Sequence, residues 1–241
     1  MTVIFDGHDL GTLFTCGDPD MSILDFRPDL ETVPGRNGSA FLGSTLGDAS
    51  VAFKITVTGA SAAGRRAAFS TLGSWLLVDE PKHLVLPDTP DRYYLAVPSG
   101  SLDIERYVDG ETAVLSFDLV DPVAYSVTER TVTVPSGGSV TFDVGGTYPA
   151  SPRVQATAVR SSSSLLWGIK LDGGDYMHVA TGSASGRAVV ADCASHTLTV
   201  SNSAALMTVD SDWLELAPGS HTLSMDNGTG AATVTFRERW L

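Results

Sequence analysis

At 241 residues, 43% hydrophobic and only 18% charged, the chain can build one large or two ordinary domains and is too apolar to stay disordered. Its 28 acidic and 15 basic residues give a net charge of −13, which excludes a nucleic-acid binder with a basic face. Residues 1–130 carry 19 acidic and 9 basic side chains, residues 131–241 only 9 and 6, so most of the acid lies in the first half.

Taken in order, residues 2–5 read as a short strand that turns at Asp6-Gly7, and 13–16 and 21–26 as two more. Residues 27–50 are crowded with turn formers (Pro28, Pro34, Gly35, Gly38, Gly43, Gly47). This predicts an extended arm or long hairpin with its tip near Arg36, Asn37 and Gly38. A long segment with little core of its own is often an interaction element. Val51, Phe53, Ile55 and Val57 then alternate with polar residues, as a half-buried strand does.

Residues 60–79 break the β pattern. Ala68, Phe69, Leu72, Trp75 and Leu76 recur at helical spacing, with Arg65, Arg66, Ser70 and Ser74 on the expected wet side. Ser61 is the expected N-cap, and Asp79-Glu80-Pro81 the stop. Gly73 costs about 1 kcal/mol in a helix interior, which predicts close packing or a weak helix. Strands follow on both sides of the turn 87–91, and residues 102–108 and 113–120 form a hairpin around Asp109-Gly110.

A polar run places the domain boundary near 126–131, giving domains 1–128 and 129–241. The second half carries no helix signal. Its short strands are expected at 131–134, 140–144, 153–160, 165–171, 176–179, 188–192, 197–200, 213–216, 221–225 and 232–239. Turns separate them, the run 161–164 reading as a hairpin tip, and the spacing predicts an antiparallel sandwich.

No chemistry is singled out. The five histidines have no metal-binding spacing, Cys16 and Cys193 read as free thiols of a reducing cytoplasm, and there is no phosphate loop. The GSASG run at 182–186 centres on Ala184 and is no nucleophile elbow. No catalytic residue, cofactor or metal ligand is expected. The start of the chain lacks a signal peptide, and no stretch is apolar enough to span a bilayer.

The run VVADCASHTLTV, the segment SDWLELAPG and the ending FRERWL resemble the C-terminal half of phage distal tail proteins of siphovirus-type tails. FDGHDL near the start, SWLL at the helix end, LPDTPDRYYLA and FDLVDPVAYS resemble the N-terminal half, in the same order. The resemblance implies a mainly β fold: a belt domain with one α-helix and an arm, then a galectin-like antiparallel β-sandwich. It implies a homo-hexameric ring at the virion tail tip of a phage or prophage, made in the bacterial cytoplasm. That ring joins the tail tube protein to a tail fibre protein or tail-associated lysin. Subunit contacts are expected at Arg36, Asn37 and Gly38 on the arm, and at Arg65 and Arg66 on the helix. Part of the N-terminal acid is expected to line the ring lumen and keep passing DNA from sticking. The sugar-binding H-x-N-P-R run of true galectins is missing, although Trp213 and Glu215 are present. The alternative reading is a carbohydrate-binding module that uses Trp167 or Trp213 as its platform.

Overall fold

The alternation at 49–58 becomes the strand Ala49–Thr58, whose Ala49, Val51, Phe53, Ile55 and Val57 are all buried. It pairs along its whole length with the antiparallel strand Gly110–Leu119, from Gly110 opposite Thr58 to Leu119 opposite Ala49. The computed structural model describes residues 2–22, 24–58, 61–108, 110–159, 165–181 and 186–241. The expected features at residue 60, Asp109, 161–164 and 182–185 lie outside them. The chain divides into two units, Met1–Tyr125 with Leu241, and Ser126–Trp240.

In the first unit the sheet runs in the order His8–Asp9, Ile4–Phe5, Lys82–Val85, Arg92–Ser99, Gly110–Leu119, Ala49–Thr58, Thr15–Cys16. Asp20–Ser22 also joins Ala49–Thr58, and Glu105–Tyr107 joins Gly110–Leu119. Phe117 centres the core, its ring 4.8 Å from Phe5 and 6.0 Å from Phe53.

The helix spans Ala62–Leu76. The Ser61 hydroxyl caps it, accepting a 3.1 Å hydrogen bond from the Gly64 N–H. Phe69 and Leu72 are buried in the core, with Ala68, Trp75 and Leu76 packed at its margin. Phe69 lies 5.0 Å from Phe14, and Trp75 stacks on His8 at 4.6 Å.

Several expectations need correction. Of the two readings of Gly73 close packing falls and the weakened helix remains, because a Cβ there would meet open space. Arg65 is not on a wet face, because its side chain is only 15% exposed and lies against Glu111. Residues 10–12 form a 3₁₀ turn where the Asp9 carboxylate accepts from the Gly11 N–H, leaving only Thr15–Cys16 as strand. The 102–108 strand shrinks to Glu105–Tyr107.

The second unit is a sandwich of two antiparallel sheets. One has the order Arg130–Val134, Ala232–Phe236, Arg153–Ala158, Arg187–Asp192, Thr197–Val200, Ser203–Ala204. The other has the order Ser139–Val144, Gly219–Asp226, Leu166–Leu171, Tyr176–Ala180. Their inward residues, including Val154, Trp167, Ile169, Met177, Val189, Leu223 and Val234, form one core. Residues 213–216 do not form the expected strand. Leu214 and Leu216 alternate inward, but only Leu216 pairs, exchanging two 2.8 Å backbone hydrogen bonds with Ala150.

The FRERWL ending has a structural task in this unit. Arg237 donates to the carbonyls of Ser126 and Val127, at 2.9 and 2.7 Å. Glu238 accepts from Arg130 at 2.6 Å and from the Gly145 N–H at 3.0 Å. The Arg239 guanidinium lies over the Tyr148 ring at 4.9 Å.

Candidate functional site

The residues between the strands at 20–22 and 49–58 form a two-stranded antiparallel hairpin, Phe26–Thr32 against Ser39–Leu46. Arg27 closes its neck, with Nε 2.9 Å from Asp25 and Nη2 2.8 Å from Asp48. Gly47 lies in the same neck, its N–H donating to the Asp25 carbonyl at 2.7 Å. A Cβ at Gly47 would strike the Asp25 carboxylate and the Arg27 guanidinium. At the tip Gly35 and Gly38 take φ of +81° and +82°, which side chains disfavour, and the Arg36 N–H bonds the Val33 carbonyl at 3.2 Å. Arg36, Asn37 and Gly38 are all exposed there.

The hairpin has two unlike faces. Its register sets Phe26 opposite Leu46, Pro28 opposite Ser44 and Leu30 opposite Phe41, so these share one apolar face. Arg27, Asp29 and Glu31, opposite Thr45, Gly43 and Ala40, form the polar face. The register slips between Asp29 and Leu30, where Leu42 is an extra residue. Without that bulge Phe41 would turn to the polar side. Among the described residues nothing covers the apolar face: Phe26, Leu30 and Phe41 remain 64%, 57% and 65% exposed.

Sequence reasoning found the tip and missed this face. The period-2 alternation of Phe26, Pro28, Leu30 against Arg27, Asp29, Glu31 was the available signal, but the density of Gly and Pro obscured it.

The helix carries the second expected contact. Arg66 is exposed, and Arg65 turns toward Glu111, with Nε 3.5 Å from its Oε1. Arg106 approaches the same oxygen at 3.7 Å. Glu111 is buried although it follows a turn, and Thr112, Ala113 and Leu115 beside it are buried too. Neither Arg106 nor Glu111 was foreseen, because both flank a hairpin turn that reads as solvent-facing.

The remaining polar clusters are structural. His221 donates from Nδ1 to Asp172 and from Nε2 to the Ala217 carbonyl, both at 2.6 Å. His178 is buried beside Asp226, 2.5 Å from Nε2 to Oδ2. Both cysteines are buried and free, and burial pushes the Cys193 thiol up to about 11, leaving it inert. Among the described residues no three His, Cys, Asp or Glu side chains gather to hold a metal, and no helix is long and apolar enough to cross a membrane. Trp167 is 0% exposed and offers no platform for a sugar. Trp213 packs on the core and is stacked by His196 at 5.1 Å.

Residues 7–118 match the family model of the phage tail protein RIFT-related domain, and residues 145–240 that of the siphovirus-type tail component, C-terminal domain. No curated protein sequence matches the chain. Among solved structures, the Dit protein of phage SPP1, described as a paradigm of the hub adsorption apparatus in phages infecting Gram-positive bacteria, aligns at a TM-score of 0.80. That alignment has 20% identity and covers 100% of this chain and 99% of that one. The phage P2 baseplate in its activated conformation contains a similar fold. The form with Ca aligns at a TM-score of 0.51 and 10% identity, and the form with Sr at 0.52 and 9%; each covers 96% of this chain and 92% of that one.

The two tail domains, carried in order on one chain, define a component of a siphovirus-type phage tail. The chain belongs to the distal tail protein family.

Proposed function

We propose that this protein is the structural hub of a phage tail tip. Residues 1–128 act as a belt that closes into a ring of six copies. The ring joins the tail tube to the tail fibre or tail-associated lysin, with the sandwich of residues 129–241 as its second module. The role is one of assembly and not of catalysis.

The observation that carries this reading is the uncovered apolar face of the hairpin. Burying a Phe or Leu side chain is worth about 1.5–3 kcal/mol, so Phe26, Leu30 and Phe41 favour a partner surface strongly. An isolated two-stranded ribbon is marginal in water, which also argues that this one is completed by another chain. An arm that reaches from each copy to the next makes a heterologous contact, and repetition of that contact closes a ring. Membership of the distal tail protein family supports the same role.

Negative-stain microscopy and mass measurement test it. The wild type is expected to give six-fold rings. The double variant Leu30→Asp, Phe41→Asp is expected to stay monomeric with an unchanged melting temperature, since neither side chain contributes to the core. A wild-type protein that is monomeric alone, and also when co-assembled with the tail tube protein, would overturn the reading.

A further inference from the structure

Beside the helix lies a cleft of about 300 Å³ lined by Arg65, Arg66, Arg106, Glu111, Phe69 and Ile104. Among the described residues that line it, three arginines stand with one buried carboxylate, and Arg65 and Arg106 approach that carboxylate. Residues 1–130 as a whole hold only 9 basic side chains against 19 acidic ones, so the cluster runs against its surroundings. Arg106 is 71% exposed and reaches Glu111 only at 3.7 Å, and Arg66 makes no ion pair among the described residues. Guanidinium forks match carboxylates bidentately, and Phe69 and Ile104 give the cleft an apolar wall for the stem of an acidic side chain.

The matching acid is on the same chain. Asp29 and Glu31 share the polar face of the hairpin, both exposed, and neither has an ion-pair or hydrogen-bond partner among the described residues. Two residues apart on one strand face, their side chains emerge about 7 Å from each other, a spacing suited to separate guanidiniums.

We propose that the Arg65–Arg66–Arg106 cleft is a socket for Asp29 and Glu31 of a second copy of this chain. The inference rests on the ring reading above and deepens it. The apolar face supplies the attraction between neighbours, and the charged face sets which way the arm lies. One copy offers the acid and the next the base, the asymmetry that a head-to-tail contact requires. Arg65 is held in place by Glu111, while Arg66 and Arg106 remain to meet the incoming carboxylates.

A charge swap tests the socket by mass photometry across protein concentration. Arg66→Glu with Arg106→Glu, and Asp29→Lys with Glu31→Lys, are each expected to raise the concentration for half-assembly by about tenfold. Combining the two sets on one chain is expected to restore assembly to within about threefold of wild type. All these positions are exposed, so unassembled variants should melt like wild type. Raising the salt should weaken wild-type assembly more than that of the uncharged variant Arg66→Gln, Asp29→Asn, Glu31→Gln. Rings that form in wild type but ignore the single swaps, or are not rescued by the combination, would overturn the socket and leave the ring reading standing. A wild type without rings would overturn both.

Discussion

His221 satisfies two acceptors at once, the Asp172 carboxylate and the Ala217 carbonyl. A neutral imidazole has one N–H, so only the cation can donate to both. Burial pushes its pKa down, but the hydrogen bonds to Asp172 and Ala217 outweigh this and raise it above 6.5. The Thr222 N–H, then His221, hold Asp172 below 3.8. The raised histidine adds stability that is complete below pH 6.5 and fades as pH climbs through its folded value; the lowered carboxylate adds stability that fades as pH falls below 3.8. Thermal melts between pH 5 and 9 should therefore show the wild type losing stability with rising pH, and His221→Gln losing less. Gly73 makes a second residue-level case. With open space at its Cβ, Gly73→Ala should stabilise the N-terminal unit by about 1 kcal/mol, measured by denaturant unfolding. The sequence shows a helix glycine but cannot say whether it is packed or bare, because that depends on what lies across from it. His221 is similar, since Asp172 lies 49 residues away.

At the scale of elements, legibility followed period and length. The strand Ala49–Thr58 is plain in the sequence because one face is core and the other is not. The helix is equally plain from its stripe and Ser61 cap, yet the stripe is narrower in place, with only Phe69 and Leu72 fully in the core. Residues 213–216 mislead for a physical reason. Burial alternates through Leu214 and Leu216 as in a strand, while pairing is limited to one residue. The hairpin was legible in extent and tip but not in its two faces. Its bulge resets the alternation between Leu42 and Phe41, so a simple period-2 reading of residues 39–46 assigns the wrong sides. Of the proposed socket the sequence offered Arg65 and Arg66 but not Arg106 or Glu111, because these come from separate elements that meet the helix only on folding.

For the whole molecule, two units with separate cores match the shift in composition along the chain, the second having no helix among its described residues. The order of family motifs carried the class of protein further than any single residue could, since no site chemistry announces it. A two-stranded ribbon has two open edges and an uncovered apolar face, the features that template irregular stacking of strands. Pro28 removes one ladder donor, and the extra residue at Leu42 kinks the opposite edge. These irregularities work against aggregation of a ribbon that has no partner. Straightening it, by deleting Leu42 and changing Pro28→Val, should preserve the two faces yet make the free subunit precipitate, as light scattering at dilute concentration would record. Assembly would then become a race between the productive partner and every other copy of the same bare edge.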